Sequence, residues 1–356
     1  MRQITRTALR GTVASVCSLL CSVPAAMAHV KWFLGRSESE ILKLPKPELF
    51  NSLCFANLVP MLLAIVALFV TTLAGRVLSR WSVNRLMVDL AMRKEAQINL
   101  FIGVCSGLFL IYCGSSRILL APNFVICEHC PHWLPAAEAL VGCSLLFGFL
   151  ARLGAVGLLA LLSFTFMKHP FADCLDLLPM YGIAMYFLLS ARNRFSVDFW
   201  LISNQVASPK LTNLAHLLLR WFAGVGLMIL ALDEKLLHPQ LAMELIKVQP
   251  SLNFVGAHVL PNEMFVLCAG LCELLLALIV VVGSFPRLAA LMLLGAFVAT
   301  TQIFGSAELL GHLPFYGIIC SLLLRGSGPL SAFVVIQQAS SEILTVKDRR
   351  PSETLA

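Results

Sequence analysis

EALVGCSLLFGFLAR, residues 138–152, and ELLLALIVVVGSFPR, residues 273–287, put a glutamate, a glycine and an arginine at the same spacing, 135 positions apart. The register continues downstream: Asp173, Pro179, Tyr181 and Gly182 recur as Glu308, Pro314, Tyr316 and Gly317. Matching apolar residues would mean little in so hydrophobic a chain. Charged residues inside apolar segments are costly, and a cost incurred twice in one register points to an internal duplication of a membrane module.

Composition sets the class. The chain is 59% hydrophobic and 13% charged, with a mean hydropathy of +0.86, whereas soluble domains carry about 25% charged residues. This is the composition of an integral membrane protein, and it excludes a set of large soluble domains. The formal charge of +7 is scattered over short loops with no basic stripe interleaved with aromatics, so a nucleic-acid partner is excluded and membrane topology accounts for the bases.

Residues 1–28 read as a signal peptide: Arg2, Arg6 and Arg10, an apolar run from Gly11 to Val23, then Pro24 and Ala26-Met27-Ala28. Cleavage there makes His29 the mature terminus, either a copper-chelating amine and imidazole or simply the residue after a good cleavage site. An outer segment, 29–52, follows. Apolar runs predict nine spans, at 53–76, 98–120, 134–151, 153–167, 177–191, 213–232, 263–283, 288–303 and 313–325. With the mature N-terminus outside, fourteen lysines and arginines between Arg76 and Arg350 fall on the cytoplasmic side, against eight between Lys31 and Lys247 outside. The first span and its loop occupy 53–97, the two halves 98–194 and 213–325, a linker 195–212 and a cytoplasmic tail 326–356. The expected fold is therefore an all-α polytopic membrane protein: one N-terminal span plus two parallel-repeat four-helix bundles.

Two features carry chemistry. Glu138 and Glu273 lie fourteen residues before Arg152 and Arg287, about 21 Å along an uninterrupted helix. Each glutamate is expected either to pair with a base, Arg220 or Lys235 in the case of Glu273, or to be protonated, and its role is either proton and quinone chemistry or helix packing. Cys127 and Cys130 form a C-x-x-C pair beside His129 and His132 in an outer loop. The readings are a structural disulfide, a redox-active one or a metal site, although the spacing is tight for tetrahedral coordination. The histidines do not pair up inside the spans as haem ligands would. Gly103 and Gly107 read as close helix packing.

The second half resembles the DoxX family of four-helix membrane proteins through Arg220, Gly224 and Gly226, Lys235, and Glu273, Gly283 and Arg287. The first half is similar to a diverged copy, with Ile102 where Arg220 aligns. The resemblance covers about residues 98–325. It implies a bacterial inner-membrane protein related to subunits of quinone-linked oxidoreductases, with quinone as the implied cofactor and a soluble or peripheral oxidoreductase as the implied partner. The expected function is the membrane subunit of a quinone-linked or thiol-linked redox system; the alternative is a non-redox transporter or membrane scaffold built from the same repeats.

Overall fold

The structure, a computed structural model, describes residues 30–34, 37–52, 66–67, 70, 95–124, 126, 131–190, 197–201 and 208–326. The segment read as a signal peptide, His29, most of the expected first span, the Cys127 and Cys130 pair and nearly all of the expected C-terminal tail lie outside the described residues. Among those described the protein is entirely helical. The main helices are α1 (Glu95–Ser116), α2 (Leu134–Phe147), α3 (Ala151–Lys168), α4 (Leu178–Ser190), α5 (Pro209–Ala231), α6 (Pro239–Val248), α7 (Asn262–Val282), α8 (Pro286–Phe304) and α9 (Leu313–Arg325).

Among the described residues six helical stretches are long and apolar enough to cross a membrane: 95–116, 151–168, 171–190, 209–237, 262–282 and 286–304. α2 and α9 are apolar but shorter, at 14 and 13 residues. Their outermost side chains, such as Leu140, Leu153, Val156, Leu291 and Val298, are apolar and exposed, which is the surface a multi-pass protein turns to lipid.

Helix limits in the two halves keep the spacing seen in the sequence. α3 and α8 start at Ala151 and Pro286, α4 and α9 run from Leu178 to Ser190 and from Leu313 to Arg325, and short helices start at Phe171 and Ser306. All of these positions are 135 apart. α2 and α7 both stop at a left-handed glycine, Gly148 (φ 62°) and Gly283 (φ 74°), the conformation that ends helices and that glycine adopts without a Cβ clash. Each glutamate and its arginine therefore stand on successive helices. From Glu138 to Phe147 the rise is about 14 Å, and the arginine opens the next helix instead.

Neighbouring helices form a closed ring in the order α1, α2, α3, α4, α5, α7, α8, α9 and back to α1. The last helix of each half packs on the first helix of the other. α1 meets α2 at glycines: a Cβ on Gly103 would lie 2.7 Å from the Leu145 carbonyl oxygen, and one on Gly107 would lie 2.7 Å from that of Gly142. In lipid, such backbone approach supplies the dispersion contacts that exclusion from water supplies elsewhere. The main apolar core runs through both halves, with Ile98, Ile102, Leu158, Tyr186, Phe187 and Phe297 buried in it. We call the end of the bundle bearing Glu138 and Glu273 the glutamate end, and the opposite end, with Arg152, Arg287 and Arg325, the arginine end.

A second cluster lies at the glutamate end of the second half. Val30, Ile41, Leu241, Leu245 and Phe265 are buried together, and Phe33 stacks on Phe304 at 4.2 Å. The connection from α5 to α7, longer than that from α1 to α2, thus forms a helix, α6, which joins the segment after residue 30 as a cap.

Candidate functional site

α5 does not end where its apolar pattern fades. It continues through a π-helical turn, Leu232–Leu237, a geometry that recurs at functional sites. This turn bears Asp233, Glu234 and Lys235 in succession. Lys235 is 2% exposed and Glu273, on α7, is 7% exposed, and their Nζ and Oε2 atoms are 2.6 Å apart. The second carboxylate oxygen of Glu273 is buried with no hydrogen-bond partner among the described residues.

The other acids of this turn meet the segment after residue 30 and the residue that follows the turn. The Val30 N–H donates to Glu234 Oε2 at 3.0 Å, and Glu234 Oε1 is buried without a hydrogen bond among the described residues. Lys31 bridges Glu38 and Asp233, each at 3.1 Å, and His238 Nδ1 contacts Asp233 at 2.9 Å. Burial pulls the Lys31 ammonium down, but the carboxylates of Asp233, Glu38 and Asp176 outweigh it and hold Lys31 above the ordinary lysine range. Asp176, from the first half, also lines a small cavity with Leu120, Pro179, Gly311 and Pro314, sized for about one water molecule.

Glu138 occupies the corresponding place in the first half with different company. It is fully buried. Its Oε1 accepts the Leu120 N–H at 2.8 Å, and Oε2 has no hydrogen bond among the described residues. Arg117, the counterpart of Lys235, is exposed and takes a left-handed φ of 55° just after α1, so it turns away from the carboxylate.

The arginines do other work. Arg220 is 2% exposed and packs at the arginine end beneath Gly283, where any Cβ would collide with its guanidinium. The choice left open for Glu273 falls to Lys235. Arg287 donates through Nε to the Leu323 carbonyl at 3.0 Å and through a terminal nitrogen to those of Leu324 and Arg325 at 3.4 Å, satisfying carbonyls left over at the end of α9. Arg152 is exposed. In the first half the carbonyl at the end of α4, that of Ser190, is met by Asn99, and Asp198 caps the opposite kind of helix end, accepting the N–H groups of Leu150 (2.6 Å) and Ala151 (2.9 Å) at the start of α3.

Two polar pairings escaped the sequence reading, although Glu308 stood in the shared register. Glu308 and His312 form a fully buried pair at 3.4 Å. At the arginine end Glu95 meets His216 and Arg325. Glu95 was missed because the apolar run starts at Ile98, whereas α1 starts one turn earlier. Among the described residues no group of three or more histidines, cysteines or acids is placed to hold a metal ion.

No protein family, curated protein or solved structure matches this chain.

Proposed function

We propose that the chain is a DoxX-like subunit of the bacterial inner membrane, built from two parallel four-helix repeats, that serves a quinone-linked or thiol-linked redox system and handles protons at Glu273. The observation that carries this is the buried Lys235 and Glu273 pair, on a turn that also bears Asp233 and Glu234 and that meets the cap through Lys31 and the Val30 N–H. Oxidising a quinol or a dithiol releases protons along with electrons. A carboxylate at the reacting group accepts such a proton, the neighbouring ammonium stabilises the charged form between turnovers, and surface acids return the proton to water. The electrons pass to a soluble or peripheral partner. A pair needed only for packing would gain little from this arrangement, since apolar residues of the same volume stabilise as well or better. In this reading the glutamate end faces the periplasm and the arginine end the cytoplasm, following the basic residues.

The second reading, a non-redox transporter or scaffold, is favoured by the closed ring in which each half's last helix packs on the other half's first, because carriers also use repeats around intramembrane charges. Purification from native membranes in mild detergent, with extraction and assay of bound quinone and of co-purifying oxidoreductase, separates the two. Near-stoichiometric quinone is expected, and it should be lost in Lys235→Met/Glu273→Leu while the protein still accumulates. Protein free of quinone and of any oxidoreductase partner, yet passing protons in proteoliposomes, shifts the assignment to a transporter.

A further inference from the structure

The charges at the arginine end have no part in the chemistry above. Glu95 is the first residue of α1, and three side chains converge on its carboxylate. His216 Nε2, from α5, lies 2.6 Å from Oε1. The Tyr186 hydroxyl, from α4, donates to the same oxygen at 3.5 Å. Arg325, at the end of α9, binds Oε2 and also reaches Asn213 on α5. The other ring nitrogen of His216 lies 3.1 Å from the Ser321 hydroxyl. The side chains of His216 and Arg325 are 9% and 5% exposed, while Glu95 keeps 22% of its surface open.

This set appears once. At the spacing of 118 that relates α1 to α5, Glu95 corresponds to Asn213 and Ile98 to His216; at the spacing of 135, Ser190 corresponds to Arg325 and Tyr186 to Ser321. Both sets of positions converge where the two halves meet, but the charged members come from Glu95 in one half and from His216 and Arg325 in the other.

We propose that His216 and Glu95 form a second proton-binding site, at the arginine end of the bundle and separate from Lys235 and Glu273. Both protonation states of the ring are satisfied by the same neighbours. A neutral imidazole donates from Nε2 to Glu95 and accepts the Ser321 hydroxyl hydrogen at Nδ1. A charged imidazole donates from both nitrogens, since a hydroxyl oxygen accepts as readily as it donates. The Arg325 guanidinium keeps its charge throughout and holds the carboxylate in position. A mere clasp between the halves would need only Arg325 and Glu95; the histidine, with a hydroxyl behind it and a partly open carboxylate in front, adds a place for one proton to come and go. Its purpose rests on the proton-handling reading, of which it is the opposite end, but its chemistry stands without it.

The test is nuclear magnetic resonance of the full-length protein in lipid nanodiscs, with 15N-labelled histidine and the His216 signals assigned by their absence from His216→Gln. They should titrate reversibly between about pH 5 and 9. Glu95→Gln should weaken proton binding at His216 about tenfold or more. Should that variant fail to accumulate, Ser321→Ala removes only the hydroxyl and should change the balance of the two neutral tautomers. A His216 signal fixed in one form across the range, or one unmoved by either substitution, overturns the proposal. Quinone extracted from the same samples reports on the redox reading independently.

Discussion

Glu138 and Glu273 hold the same place in the two halves, yet among the described residues one is bonded to a backbone N–H alone and the other to a lysine ammonium. The difference begins on the preceding helix. α1 stops at Ser116, and the chain turns left-handed at Arg117, which sends that base outward. α5 runs on through its π turn, which swings Lys235 inward. A few residues of extra helix thus bring a counter-charge to Glu273, and the cap built from α6 and the residues after 30 lies at the same end of the second half.

The sharpest way to break this comparison is to remove one member of the pair. Glu273→Leu leaves the Lys235 ammonium without its counter-charge and should cost about 3–5 kcal/mol in detergent unfolding, whereas Lys235→Met/Glu273→Leu should recover most of that loss. A double variant no better than the single one would mean that the two groups are not energetically coupled.

Next in size is the glycine at the turn after each glutamate helix. Gly283→Ala must fit a Cβ against the Arg220 guanidinium in addition to adopting a left-handed φ. Left-handed backbone alone costs about 1–2 kcal/mol, so Gly148→Ala should fall in that range and Gly283→Ala above it, read as the difference between their unfolding midpoints. Equal losses would show that Arg220 moves aside freely.

A smaller effect separates the two caps at the arginine end. Asp198→Ala leaves the Leu150 and Ala151 N–H groups unbonded at the start of α3 and should cost about 1 kcal/mol; hydrogen exchange at those two amides would report the fraying directly.

The smallest change is expected at the unpaired glutamate. In Glu138→Gln the amide oxygen still accepts the Leu120 N–H, so stability should move by less than about 1 kcal/mol. A loss as large as that of Glu273→Leu would mean that Glu138 has a charged partner outside the described residues.

What could be read from residue order was whatever depends on neighbours along the chain. Apolar runs marked eight of the described helices to within a few residues, because a stretch long enough to face lipid must be apolar throughout. The shared register of the two halves appears in the limits of α3 and α8 and of α4 and α9. The glycines after α2 and α7 were visible as recurring residues, but their left-handed backbone was not.

Local pattern failed at the helix ends and across the bundle. The π turn of α5 and the early start of α1 carry charges beyond the apolar runs, so composition alone assigned those residues to loops. Residues 38 apart, Lys235 and Glu273, and residues 230 apart, Glu95 and Arg325, meet only because of how the helices cross. The sequence by itself determined that the chain is helical, apolar enough to cross a membrane and written in one register twice. Tertiary structure alone decided which buried acid acquired a base, because an ion pair forms only within a few ångströms and that separation is set by helix length and crossing rather than by spacing along the chain.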